Sequence, residues 1–106
     1  MTYVIDIDGT ICTQSNPDYE NASPMQENID KINSLYDIGH TIVYHTARGM
    51  GRTNNNPSEA TSLLYDMTRK QLNGWGVKYH RLFLGKPAGD VYVDDKAIRA
   101  DDFFAN

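Results

Sequence analysis

The 106-residue sequence predicts a single α/β domain built around a parallel sheet, and three observations lead to this prediction. Short strand-like runs alternate along the chain with two amphipathic helical patterns. The strand-like runs are apolar on both faces, as expected of strands that lie between layers of helices. The length is that of one ordinary domain, and the sequence has no internal repeat. We therefore expect one domain over residues 1–106.

Four runs rich in β-branched and aromatic residues are the predicted strands, at residues 2–7, 41–45, 79–84 and 91–93. Asp8-Gly9 ends the first run, and Gly85-Lys86-Pro87 ends the third. Only six residues separate Leu84 from Val91. A parallel crossover usually needs about a dozen residues or more, so either the third strand ends earlier or an extended segment replaces the usual helix.

Two helices are predicted between these strands. The first has Ser23 as N-cap, Pro24 at its first position and Gly39 after its end. The second opens at Ser58 and ends at Asn73-Gly74. The apolar positions of the first helix recur at helical spacing: Met25, Ile29, Ile32, Leu35 and Tyr36. The remaining turn-rich segments are a flap at about residues 10–23 and a loop at about residues 49–57.

Polar side chains follow each predicted strand at the edge where parallel α/β sheets place their sites. The first strand ends in Asp6 and Asp8, the second in a segment containing Thr46 and Arg48, and the third is followed by Lys86. The last strand ends in the pair Asp94-Asp95. Carboxylates that converge repel one another unless a cation lies between them, so this pattern predicts a divalent metal site.

Composition narrows the classes of function. Ten basic and fourteen acidic residues give a net charge of −4, which argues against a nucleic-acid module driven by phosphate neutralisation. No apolar run approaches the ~20 residues of a membrane span. The first residues do not resemble a secretory signal, and the single cysteine, Cys12, cannot form an internal disulfide, so we expect a cytoplasmic protein. Because a core of this size is small, self-association is a plausible source of stability.

Asp6-Ile7-Asp8-Gly9-Thr10 after a first strand resembles the opening motif of the haloacid-dehalogenase (HAD) superfamily of phosphohydrolases. Thr46 resembles its second motif, Lys86 its third and Asp94-Asp95 its fourth, in the family's order and across nearly the whole chain. A narrower likeness is to the small capsule-biosynthesis phosphatases of bacteria. It rests on these segments: Asp18-Tyr19-Glu20-Asn21 with Pro24, Thr46-Ala47-Arg48-Gly49-Met50, Gly85-Lys86-Pro87 and Tyr92-Val93-Asp94-Asp95-Lys96-Ala97-Ile98-Arg99.

The resemblance implies a role for each matched residue. Asp6 would be the nucleophile that forms an aspartyl-phosphate, and Asp8 would exchange protons with the leaving oxygen and the attacking water. Thr46 and Lys86 would bind the phosphoryl group, with further contacts from the Ala47 backbone and Arg48. A surface salt bridge is the alternative interpretation of Arg48. The implied cofactor is Mg²⁺, with these four ligands: Asp6, Asp8 through its carbonyl oxygen, Asp94 and Asp95.

The family also implies the finer fold, a HAD-like three-layer Rossmannoid domain with a parallel sheet in the order 3-2-1-4. Segments 9–45 and 47–85 are filled by the predicted elements, so no cap domain fits between the motifs. An open site can admit a large substrate, or a neighbouring subunit can cover it.

The function that follows is magnesium-dependent hydrolysis of a small phosphate monoester, with a sugar or polyol phosphate in capsule polysaccharide biosynthesis as the expected substrate. Two alternatives stay open: a 5′-nucleotide or polynucleotide phosphatase, and a non-catalytic partner of a sugar-nucleotide enzyme. The sequence does not decide whether His45 or Arg52 contacts substrate, or whether the Phe103-Phe104 tail docks on the sheet or on another subunit.

Overall fold

The computed structural model describes residues 1–105 and contains a parallel sheet of three strands. These strands are β1 (Thr2–Ile5), β2 (Thr41–Thr46) and β3 (Arg81–Leu84), and β2 lies in the centre. Thr2 pairs with Thr41, and Val43 pairs with Arg81. Consecutive β2 residues are buried because both faces of the central strand are covered. The prediction of an α/β domain with a parallel sheet is therefore confirmed.

Three helices and one 3₁₀ turn complete the described residues: α1 (Gln26–Asp37), α2 (Pro57–Gly74), α3 (Ala100–Phe103) and the turn Tyr19–Asn21. Their apolar faces share one core with the sheet, in which Ile29 and Ile32 of α1 and Leu72 of α2 are fully buried. None of the helices in residues 1–105 is long and apolar enough to cross a membrane.

The helix ends follow the sequence in part. Asn56 caps α2 by accepting a hydrogen bond from the Glu59 N–H at 3.1 Å, directly before Pro57. Gly39 has φ +104° after the end of α1, as a terminal glycine should. The predictions of Ser23 as the N-cap and Pro24 as the first residue of α1 are wrong, because Met25 is the N-cap and the helix begins at Gln26. The Ser23 carbonyl instead accepts a hydrogen bond from the Thr13 N–H, which joins the two ends of the flap.

The predicted fourth strand does not form in the sheet of the described residues. Residues 91–93 are irregular, with Val91 78% and Val93 95% exposed. The third strand does end at Leu84, so only residues 85–90 are available for the return to the other side of the sheet, and that is too few for a parallel crossover. The three strands that form lie in the order 3-2-1, and the outer edge of β1 has no strand partner within residues 1–105. We call residues 85–99 the arm.

Candidate active site

A hollow of about 320 Å³ lies at the carboxyl ends of the strands. It brings together residues from four separated parts of the sequence, as the sheet rule predicts. Six of the eight residues proposed from sequence line it: Asp6, Asp8, Thr46, Ala47, Arg48 and Lys86.

Asp6 follows β1 and faces Lys86 across the hollow, with 3.7 Å between its Oδ1 and the Lys86 Nζ. The Thr10 hydroxyl donates to the other carboxylate oxygen at 3.5 Å. Burial raises the pKa of Asp6, while the Lys86 ammonium opposes that rise. The side chain keeps 38% of its surface exposed, so a ligand in the hollow can reach it.

Asp8 is held by Arg48 in a bidentate ion pair. The Arg48 Nε donates to Oδ2 at 2.9 Å, and Nη2 donates to Oδ1 at 3.0 Å. The arginine side chain is completely buried, so the surface salt bridge considered for it is not what forms. Planar pairing of this kind fixes both groups in orientation as well as in distance.

The rest of the Arg48 guanidinium is also satisfied. Its Nη1 donates to the Gln71 Oε1 at 2.7 Å and to the Thr68 hydroxyl at 3.3 Å, and its Cζ lies 4.9 Å from the centre of the Tyr19 ring. Gln71 in turn donates to the Tyr19 carbonyl at 2.8 Å. Helix α2, the flap and the end of β2 are therefore tied together through one side chain.

Thr46 and Lys86 are placed by the ends of the two other strands. The Thr46 hydroxyl accepts from the Arg48 N–H at 3.1 Å, and its carbonyl accepts from the Lys86 N–H at 3.2 Å. Gly85 precedes the lysine with φ +102°, and a Cβ there would lie 2.9 Å from the Cβ of Pro57. A side chain at this position would disturb the turn that aims Lys86 at Asp6.

Sequence reasoning missed several groups at the site. Gln14, Tyr19 and Tyr92 line the hollow, and Thr68 lies behind it. The Gln14 side chain donates to the Asp8 carbonyl at 3.2 Å, and the Tyr92 ring lies 4.3 Å from the Lys86 Nζ. One signal was available, since Gln71 is a polar residue in the apolar stripe of α2. A buried polar residue needs a partner, and here the partner is Arg48.

Asp94 and Asp95 are not part of this hollow. Both are exposed, and the Asp94 carboxylate accepts from the N–H of nearby Lys96 at 2.9 Å. Within residues 1–105, no three His, Cys, Asp or Glu side chains come together in a way that could hold a metal ion. In a single chain Asp6 and Asp8 line the hollow, whereas Asp94 and Asp95, the other two ligands expected for Mg²⁺, lie outside it. Mg²⁺ is commonly held by one or two carboxylates together with water and substrate phosphate, so Asp6 and Asp8 are compatible with it.

The remaining candidates lie outside the lining of the hollow. Burial lowers the pKa of His45. The charge of Lys86 lowers this pKa further, whereas the charge of Asp6 raises it. The Arg52 guanidinium donates to the Pro17 carbonyl at 3.2 Å, so it fastens the loop to the flap. The tail does dock on this chain, because the Phe103 ring lies 5.9 Å from that of Tyr3 in β1.

Comparison with known proteins supports the fold. No protein-family model and no curated protein matches the chain. A crystal structure of a target protein from Vibrio cholerae is similar, with a TM-score of 0.90 and 27% sequence identity over 99% of this chain and 88% of that chain. The shared architecture therefore extends over nearly every residue described above.

Proposed function

We propose that this protein is a HAD-like phosphatase that hydrolyses phosphate monoesters through an aspartyl-phosphate on Asp6. The observation that carries the proposal is the pairing of Asp6 with Lys86, 3.7 Å apart, beside the Asp8–Arg48 pair in one open hollow. A nucleophile, a cation for the phosphoryl oxygens and a second carboxylate are the groups that such a reaction needs.

The chemistry follows from the charges. A carboxylate oxygen of Asp6 attacks phosphorus, the bond from phosphorus to the leaving oxygen breaks, and water later cleaves the phosphoryl-enzyme. Attack of one anion on another is repulsive, and the Lys86 ammonium reduces that repulsion. The Thr46 hydroxyl and the backbone around Ala47 are the other donors at this edge of the sheet.

Asp8 is suited to the proton transfers despite its ion pair. Each of its oxygens accepts one N–H from Arg48, and a carboxylate oxygen has room for a further hydrogen bond. The side chain is 13% exposed, on the side of the hollow. Arg48 thus acts as a positioning residue for Asp8, and its buried guanidinium is turned towards that carboxylate.

Mg²⁺ is the cofactor we propose, and when bound it would neutralise charge between the nucleophile and the phosphoryl group. Asp6 and Asp8 of one chain would hold it, and Asp94 and Asp95, the other two expected ligands, lie outside the hollow of that chain.

The substrate class we propose is a sugar or polyol phosphate of capsule polysaccharide biosynthesis, on the basis of the sequence resemblance and the uncapped hollow. The buried, free thiol of Cys12 is consistent with the cytoplasmic location we propose.

The test is hydrolysis of p-nitrophenyl phosphate with and without Mg²⁺, followed by a panel of sugar, polyol and nucleotide phosphates ranked by kcat/KM. Asp6→Asn should reduce kcat by about a thousandfold or more, because it removes the nucleophile. Asp37→Asn, an exposed aspartate paired with Lys78 on the surface, is the matched control and should keep full activity.

Covalent chemistry has its own readout. Acid-quenched turnover followed by peptide mass spectrometry should find phosphate on the peptide that contains Asp6. A wild-type protein that is inert with Mg²⁺ on the whole panel would overturn the proposal and favour the non-catalytic binding partner.

A further inference from the structure

The arm exposes a segment that has the composition of a buried strand. Val91, Tyr92 and Val93 are 78%, 51% and 95% exposed, and Ile98 is 61% exposed. β-branched and aromatic residues in succession favour a pleated, packed environment. Contiguous apolar exposure of this kind marks a surface that is covered by a partner.

The outer edge of β1 is the complementary feature. β1 pairs only with β2, so the backbone N–H and C=O groups on its other side are unpaired within residues 1–105. An unpaired edge is a template for another strand unless it is protected, and charged side chains are the usual protection. β1 carries no charged residue and leaves Val4 66% exposed, whereas β3, at the opposite edge, carries the exposed Arg81.

The direction of the arm shows why residues 91–93 cannot form the fourth parallel strand in the sheet of their own chain. It begins at the carboxyl edge of the sheet, where Tyr92 lines the hollow, and it ends at α3, where Phe103 contacts Tyr3 near the start of β1. The arm therefore runs opposite to β1. A strand on this path carries Asp94 and Asp95 away from the hollow of its own chain.

In a twofold dimer, the arm has the opposite direction relative to the β1 of the second copy. Two sheets that meet edge to edge about a twofold axis perpendicular to them have antiparallel β1 strands. An arm that runs antiparallel to its own β1 is then parallel to the β1 of the other copy, and it ends at that copy's carboxyl edge. Residues 85–90 then pass along the carboxyl edge from β3 to beyond β1, and they need not also return to the amino edge, as a parallel strand of the same chain would require.

We propose that the chain forms a twofold dimer in which residues 91–93 of each arm add to the outer edge of the partner's β1. Asp94 and Asp95 of one copy then reach the hollow that holds Asp6 and Asp8 of the other. The sheet order becomes 3-2-1 from one chain followed by a fourth strand from its partner.

The contribution of Asp94 and Asp95 to catalysis rests on the proposed function, whereas the strand exchange rests on the exposed arm and the open edge. In the dimer the four carboxyl-bearing residues expected to hold Mg²⁺ come from two chains. Moving Tyr92 into the exchanged strand would also remove its ring from Lys86, which frees the ammonium to face a phosphoryl group.

The first experiment measures mass in solution by light scattering and sedimentation. The wild-type protein should be a dimer, and the double variant Val91→Lys/Val93→Lys and the variant Val93→Pro should be monomers with unchanged far-UV circular dichroism. Ile38→Lys is the matched control, since Ile38 is 73% exposed at the end of α1, and it should remain dimeric. A monomeric wild-type protein, or a dimer that both arm variants leave intact, would overturn the exchange.

The second experiment asks whether one site uses two chains. Asp6→Asn and Asp94→Asn chains are co-expressed with different tags, and the mixed dimer is purified. Each variant alone should be inactive, whereas the mixed dimer should regain about half of the wild-type kcat, because one of its two sites is complete. A mixed dimer of Asp6→Asn with Asp6→Asn/Asp94→Asn is the control and should stay inactive.

The two experiments fail separately. An arm-dependent dimer with an active wild type but no restored activity would overturn the shared site and leave the exchange standing. An inert wild type would overturn the proposed function, while the masses of the arm variants would still decide the exchange.

Discussion

The Arg48 cluster, which consists of Arg48, Asp8, Thr68 and Gln71, and the arm at residues 85–99 differ in burial and in pairing. Around Arg48, both oxygens of Asp8 and the side chains of Thr68 and Gln71 are hydrogen-bonded, and the guanidinium is fully buried. Along the arm, residues 91–93 are exposed and make no strand pairs. The difference teaches that a single chain completes the Arg48–Asp8 part of the hollow and leaves the segment that carries Asp94 and Asp95 exposed.

Each region has a physical reason for its state. A buried arginine is tolerated only when its charge and its donors are matched, so the cluster has to be complete within the fold. Only residues 85–90 lie between β3 and residues 91–93. This connection is too short for residues 91–93 to join the same sheet as a parallel strand. The cost of desolvating Arg48 therefore determines how the cluster is paired, and the length of the connection determines that the arm stays outside the sheet.

The largest effect is expected from Arg48→Ala. The substitution leaves the carboxylate of Asp8 and the polar ends of Thr68 and Gln71 without their shared partner, so unfolding free energy should fall by about 3–5 kcal/mol. Urea denaturation at one fixed protein concentration measures this loss. Arg69→Ala, which removes an exposed ion pair with Asp66, should cost less than about 1 kcal/mol. Equal losses for the two variants would show that the buried Arg48 pair contributes no more to stability than an exposed ion pair.

A smaller effect is expected where the body joins the arm. Gly85→Ala places a Cβ at φ +102° and 2.9 Å from Pro57, and it should cost about 1–3 kcal/mol in the same assay. Gly89→Ala is the matched change within the arm, where no atom lies within 4 Å of the added Cβ. It should change stability by less than about 0.5 kcal/mol. A costly Gly89→Ala would show that the arm is packed more tightly than its exposure indicates.

The smallest effect is expected at the surface. Lys78 and Asp37 form an ion pair of 2.8 Å, but both side chains are at least half exposed. Lys78→Ala should therefore cost only about 0–1 kcal/mol, and roughly 1 M salt should remove most of the difference from the wild type. The cost of Arg48→Ala should persist in the same salt. A salt-insensitive loss at Lys78 would point to packing of its aliphatic stem instead of charge.

Sequence patterns predicted the fold class and six of the residues that line the hollow, because both depend on local signals. The β-branched runs and the helix-ending Gly39 each act within a few residues of themselves. The sheet rule then placed Asp6, Thr46 and Lys86 at one edge, since each directly follows a strand or lies at its end. Knowing which segments are strands was enough to predict that these three residues lie at the same edge of the sheet.

The contacts of Arg48 were not predictable in the same way. Its partner Asp8 lies forty residues earlier in the chain, and Gln71 lies on a helix whose rotation about its axis is set by packing. The sequence indicated a forked cation near a phosphate site, and tertiary structure turned its fork towards a carboxylate. The fourth strand failed for another reason, since its residues favour a strand while its connection prevents one in this sheet.

The amino-acid sequence by itself determined the three strands that form, the helices α1 and α2, and the edge at which reactive side chains collect, because propensity and periodicity are properties of neighbouring residues. Tertiary structure alone decided that Arg48 is buried against Asp8 and that residues 91–93 stay outside the sheet. Both outcomes depend on distances across the fold. The first depends on the position of the carboxylate that pairs with the buried arginine, and the second on the distance that residues 85–90 can span.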